Sequence, residues 1–319
     1  MVSLLKEILE QSPARVDLAR VVALALEPGV TDLLANDNLD WWRDSGSGLE
    51  RVDGFGLEPE NYVRVLRLLV ALTGRTVDIV SPIADGAISA SELPMLSDYG
   101  VSRLRVHAAL PSGISDVPLL SIRVHRSKVL NLAQLRDSGV ITERQRARLL
   151  HILEQRESFI VVGGTGSGKT TLLRAMLAEP SQLRTVLVED TAEILPIENH
   201  VVGLQARPAN SEGAGRIPLD RLLRESLRMR PDRIVVGEVR GAEALVLLQA
   251  MTTGHDGSAA TLHANAGEAV YSRLRSIIPA AEVTDSALKL LARDALRWVI
   301  RVERNELGRR VTEISEFEC

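Results

Sequence analysis

The sequence predicts an α/β protein: a C-terminal sheet carrying helices on its faces, preceded by a smaller α+β domain. From residue 159 onward, apolar runs of strand length alternate with amphipathic runs of helix length, the pattern of a sheet covered by helices. Before residue 125, short strands, turns and one clear amphipathic helix mix without that alternation. Residues 159–177, FIVVGGTGSGKTTLLRAML, pass from an apolar strand through a glycine-rich loop into a helix. That is the context a Walker A motif requires.

Residues 1 to about 25 read as an amphipathic helix that stops before the turn signal Glu27-Pro28-Gly29. VTDLLAND and LDWWRDSGSGLERV follow as strands, DSGSG forming a hairpin loop. Adjacent strand residues face opposite sides, so Trp41 and Trp42 divide between core and surface, and packing is favoured over ligand stacking. Residues 61–72 form an amphipathic helix ended by Thr73-Gly74, and residues 102–109 and 119–124 read as strands. The domain reading is 1–125 for the first domain, 126–141 for a polar linker and 142–319 for the second domain.

In the second domain a helix over residues 142–157 takes Thr142 as its N-cap. Strands RTVLVED, VVGLQAR, RIVVGE and AATLHA alternate with helices DRLLRESLRM, AEALVLLQAM and EAVYSRLRSII. WVIRVERN and RRVTEISEF close the chain as a hairpin around Glu306-Leu307-Gly308.

The 319 residues carry a net charge of −4 and 45% hydrophobic residues, an ordinary globular balance that signals neither nucleic acid nor a membrane surface. Only 3% of residues are aromatic, which weakens any case for stacking on single strands. The N-terminus lacks the apolar core of a signal peptide, and no run reaches the roughly 20 apolar residues of a membrane span. The expectation is a soluble cytosolic protein. A single cysteine, Cys319, excludes a disulfide framework and a four-cysteine zinc module.

The loop Gly163, Gly164, Thr165, Gly166, Ser167, Gly168 turns backbone N–H groups around phosphates, and the following helix N-terminus adds partial positive charge. Lys169 reaches the β/γ-phosphates, Thr170 places its hydroxyl on Mg²⁺, and Thr171 completes the nucleotide-binding set. The chain has four lysines, Lys6, Lys128, Lys169 and Lys289. One of them falls where the phosphates need it. Glu189, Asp190 and Glu193 lie at or beyond the carboxyl end of one strand, where open α/β sheets bind ligands. Glu238 closes the apolar strand RIVVGE and reads as an Mg²⁺ ligand or the base that polarises water. Gly237 precedes it and no aspartate closes the strand, a departure from the simplest Walker B pattern. His255 and His263 bracket a glycine-rich loop and a strand, with spacing unlike a zinc site, and read as γ-phosphate sensors.

LRMRPDRIVVGEVRGAEALVLLQAMTTGHDGSAATLHAN, together with GGTGSGKTT and VEDTAEI, resembles the secretion ATPase superfamily of type II and type IV secretion and type IV pili. LQARPANSEGAGRI resembles its tight-adherence, or Flp-type, pilus branch. The resemblance is strong over residues 142–304 and weaker over 28–126. It implies a RecA-like P-loop ATPase domain behind the smaller α+β domain, with ATP and Mg²⁺ as ligands. Carried over by motif, Glu238 is the Walker B acid, Glu193 belongs to the Asp box, and His255 and His263 to the His box. Arg105 and Arg123 match the N-terminal arginines that reach phosphates, with Arg103, Arg126 and Arg240 as neighbouring candidates; arginine suits this because its planar fork stays charged.

The implied protein is a homohexameric motor at the inner face of the cell membrane, driving a platform protein that assembles, and in some systems retracts, a pilus. No direct nucleic-acid partner is expected. The alternatives are a type IV secretion ATPase for conjugation or effectors, a nucleic-acid translocase, and a nucleotide-dependent scaffold. A GTPase is disfavoured because no Asn-Lys pair exists. Relative to the family, the chain is expected to lack a longer helical N-terminal extension.

Overall fold

A computed structural model describes residues 13–46, 48–90, 92–126, 130–194, 200–207, 214–264, 269–306 and 308–319. The chain divides into two compact units, Met1–Lys128 and Val129–Cys319.

The first unit runs α1 (Arg15–Leu26), β1 (Asp32–Ala35), β2 (Trp41–Asp44), β3 (Leu49–Arg51), α2 (Pro59–Leu72), β4 (Ile83–Ser89), the single turn α3 (Met95–Asp98), β5 (Val101–Ala109) and β6 (Leu119–Arg126). Its strands form an antiparallel sheet ordered β3-β2-β1-β6-β5-β4. In α2, Tyr62, Val65, Leu66, Leu69 and Val70 are buried. Their spacing makes one helical stripe, and it joins α1 and the inner sheet residues in a single core. Trp41 lies at the centre, edge-on to Phe55 at 4.9 Å and Tyr62 at 5.8 Å. Trp42 is half-buried, as strand alternation requires. Strand β4 is absent from the sequence reading, because its Asp85-Gly86 pair is a turn signal that here sits inside a ladder. The helix expected at the N-terminus is seen from Arg15; residues 1–12 lie outside the described residues.

The second unit runs α4 (Leu132–Asp137), α5 (Glu143–Glu154), β7 (Phe159–Val162), α6 (Lys169–Leu177), β8 (Thr185–Glu189), β9 (Val201–Gln205), α7 (Leu219–Ser226) with a 3₁₀ turn after it, β10 (Arg233–Val239), α8 (Glu243–Met251), β11 (Ala259–Leu262), α9 (Ala269–Ile277), α10 (Asp285–Ala295), β12 (Trp298–Asn305) and β13 (Gly308–Glu316). The sheet order is β13-β12-β7-β11-β10-β8-β9, parallel throughout except for β13. Both faces of the central strands β7, β8 and β11 are buried. Along β7, Ile160 and Val162 enter one core while Phe159 and Val161 enter the other, which is why the strand reads as a continuous apolar run.

Residues 130–141 differ from the linker expected of them. They hold α4, opened by a capping box in which Asn131 and Gln134 bond each other's backbone N–H groups, and Leu132, Leu135 and Ile141 are buried. Residues 130–141 thus belong to the second unit, in the core that also takes Phe159 and Val161. Thr142 caps α5 as expected, again with a capping box, through Gln145. Helix α10, which buries Leu288, Ala292 and Ala295, was not expected from the sequence. Among the described residues no helix is long and apolar enough to cross a membrane.

Candidate nucleotide site

Parallel strands end together, so β7, β8, β10 and β11 deliver the loops that follow them to one edge of the sheet. Gly163 leaves β7 with φ of +151°. A Cβ there would stand 2.2 Å from the Val302 carbonyl oxygen, so only glycine fits. Residues 164–166 are exposed, whereas Ser167 and Lys169 are buried. The Lys169 ammonium donates to the carbonyls of Gly163 at 2.9 Å and Gly164 at 2.8 Å. Burial pulls its pKa below the ordinary lysine value; the Glu238 carboxylate opposes that and Arg240 adds to it. The Ser167 hydroxyl is buried and has no hydrogen-bond partner among the described residues.

His263 follows β11 and links lysine to acid. Its Nδ1 is 3.4 Å from the Lys169 ammonium and its Nε2 is 2.8 Å from Glu238 Oε1. Burial, then the Lys169 charge, holds the imidazole pKa below its usual value, against the pull of Glu238. An ammonium can only donate, so Nδ1 accepts and the ring proton sits on Nε2; Glu238 Oε1 lies close to that nitrogen without meeting hydrogen-bond geometry. The other oxygen of Glu238 accepts from Arg240 Nη2 at 2.5 Å. Glu243, buried at the start of α8, accepts the N–H groups of Arg240 at 2.6 Å and Gly241 at 2.8 Å, holding the loop that presents this arginine.

Glu189 is buried at the end of β8, and its Oε1 accepts the backbone N–H groups of Glu193 at 2.9 Å and Ile194 at 3.1 Å. The first acid of VEDTAEI thereby orders the loop that carries Glu193. A Cβ on Gly237 would approach Glu189 Cγ to 2.9 Å. The glycine before Glu238 is the space that the neighbouring acid occupies. This accounts for the departure from the simplest Walker B pattern.

The residues fit a bound polyphosphate. A buried ammonium rests on the loop's own carbonyls, an orphan hydroxyl lies beside it, and the first-turn N–H groups of α6 have no intrahelical acceptor. Thr170, half-buried in that turn, and Glu238 supply the hydroxyl and carboxylate oxygens that Mg²⁺ takes. Thr171, beside it, is exposed.

His255 is a correction. It precedes β11, at the opposite end of that strand from His263, and its Nδ1–H donates to the Ala250 carbonyl at 3.1 Å. Four strand residues at about 3.3 Å each separate the two histidines. The sheet edge that gathers Lys169, Glu238 and His263 does not include His255.

The candidate arginines of the first unit lie on its six-stranded sheet. Arg105 holds Asp85 through two bonds of 3.1 and 2.9 Å, Arg123 holds Asp32 at 2.8 Å, and Arg103 stands opposite His125 across β5 and β6. Arg126 differs: it donates to the carbonyls of Tyr99, Glu27 and Val30, clipping the fold. Arg240, also a phosphate candidate, grips Glu238 at the sheet edge. One contact escaped the sequence reading. Arg309 Nε donates to the Gly166 carbonyl at 3.0 Å, and no local motif marks a residue so far along the chain.

The family model for type II/IV secretion system proteins matches residues 96–304. The chain belongs to that family. A putative conjugal transfer protein of Mycobacterium tuberculosis is 41% identical over 286 residues, covering 88% of this chain and 79% of that protein. The conjugal transfer protein TrbB of Rhizobium radiobacter is 35% identical over 233 residues, covering 71% and 69%. Among solved structures, the Legionella pneumophila ATPase DotB superposes with a TM-score of 0.68 at 20% identity, covering 95% of this chain and 81% of that one. This likeness speaks for the fold: a RecA-like P-loop ATPase domain behind a smaller α+β domain. The protein is thus a secretion ATPase.

Proposed function

We propose that this secretion ATPase hydrolyses ATP to drive a type IV secretion machine of the conjugal-transfer kind. The observation that carries the catalytic part is the connected series from Lys169 through His263 to Glu238 beside the phosphate loop. Lys169 leaves the Gly163 and Gly164 carbonyls for the β/γ-phosphates. Glu238 polarises the attacking water, and the His263 imidazole stands beside that carboxylate, 2.8 Å from its Oε1. Glu189 holds the Glu193 loop at the same sheet edge. Thr170 and Glu238 are the residues that would hold Mg²⁺, which supplies charge neutralisation at the β- and γ-phosphates.

Arg105 and Arg123 are assigned to the polyphosphate in an assembled homohexamer. In support, both are held extended on the six-stranded sheet by carboxylates, Asp85 and Asp32, whose place a phosphate can take. The proposed place of work is the cytoplasmic face of the membrane, against an inner-membrane platform protein, with no nucleic acid bound directly.

The conjugal reading draws on the names of the relatives that match most of this chain. A tight-adherence pilus motor is the second reading, favoured by the run LQARPANSEGAGRI. Phosphate release by purified Lys169→Ala and Glu238→Gln should fall at least about 100-fold with melting unchanged. Wild-type rates in both would overturn the catalytic assignment. Disrupting the gene should abolish transfer to recipient cells while leaving surface pili intact; the reverse outcome would select the pilus motor.

A further inference from the structure

The wall beside the phosphate loop comes from the far end of the chain. Strand β12 pairs with β7 as far as Arg301 opposite Val162, where β7 stops. It then runs on to Asn305 and returns as β13. The hairpin therefore extends past β7 along residues 163–168 and touches the loop at three places. The Val302 carbonyl abuts Gly163, and the Arg309 stem lies 3.2 Å from where a Gly168 Cβ would stand. Between them, Arg309 Nε holds the Gly166 carbonyl at 3.0 Å.

The middle contact has a geometric consequence. In a planar trans peptide the C=O of one residue and the N–H of the next point in opposite directions. Holding the Gly166 carbonyl against the hairpin turns the Ser167 N–H away from it, into the loop. There it meets the Gly164 carbonyl at 3.4 Å, a long contact that a phosphate oxygen would displace. We infer that Arg309 is a positioning residue of the nucleotide site: by pinning the Gly166 carbonyl it aims the Ser167 N–H at the phosphates. The nucleotide itself is the one assigned under the proposed function, and this inference rests on that reading. Arg309 lies outside residues 96–304, those matched by the family model.

The test is a fluorescence titration of full-length protein with ADP and Mg²⁺, alongside nucleotide-free melting and steady-state kinetics. Arg309→Ala should weaken ADP about five- to tenfold and raise KM in parallel, with kcat within about twofold. Nucleotide-free melting should stay within about 2 °C. Arg309→Lys should behave like the alanine variant, because it keeps the charge and loses the Nε donor. Unchanged ADP affinity in Arg309→Ala, full recovery in Arg309→Lys, or an affinity loss matched by lower nucleotide-free melting would each overturn the inference. The two failures are distinguishable. A wild-type protein that binds no ADP removes the proposed function and the inference together, whereas wild-type binding that Arg309→Ala leaves unchanged removes only the inference.

Discussion

The six-stranded and seven-stranded sheets place charge in opposite ways. In the first unit charged residues stand along the strands: Arg105 on Asp85, Arg123 on Asp32. In the second, the central parallel strands β7, β8, β10 and β11 keep them to the strand ends, among them Lys169, His263, Glu238 and Arg240, while charge runs along the outer β12 and β13. The difference follows from how each sheet is covered. An antiparallel sheet with helices on one face leaves alternate side chains in water along its whole length. A parallel sheet buried on both faces admits polar groups mainly where strands stop. The site therefore sits at an edge because the interior of that sheet has no place for it.

The comparison makes the two units separately breakable. The largest effect is expected from Trp41→Ala, which empties the centre of the first core and should cost about 3–5 kcal/mol. Chemical denaturation should show an earlier transition while ADP affinity stays near wild type; equal loss of both would mean the units do not divide as described. Next comes Gly163→Ala, which sets a Cβ against the Val302 carbonyl at 2.2 Å and forces a strained φ. It should cost about 2–3 kcal/mol and weaken ADP at least about tenfold. The smallest is Arg105→Ala. Its pair with Asp85 is part-exposed, at 30% and 44% of the side chains, so stability should move by less than about 1 kcal/mol. A larger loss in melting would make Arg105 a structural residue and weaken its assignment to phosphate.

The second unit was legible where the chemistry is local. A strand, a glycine loop and a helix in sequence suffice to build a phosphate cradle, and acids at the ends of apolar strands reach its edge by topology alone. Glu238 and His263 were found this way. The same rule misplaced His255, because a residue can precede a strand as easily as follow it, and two histidines flanking one short strand lie at opposite edges. The stretch 130–141 looked like linker because its polar residues outnumber Leu132, Leu135 and Ile141, which nevertheless bury completely enough to join the core. Gly237 read as a departure from pattern until Glu189 was seen lying over it.

The sequence by itself determined the two kinds of sheet, the phosphate loop and the acid and histidine that follow it, since each depends on periodicity or on residues a few positions apart. Only the tertiary structure decided which charged groups meet. Arg240 closes on Glu238, Arg309 reaches the loop from beyond the last turn, and Arg126 holds backbone where a phosphate contact was considered. An arginine's role is set by the acceptor its long side chain finds across the fold, and sequence distance carries no record of that.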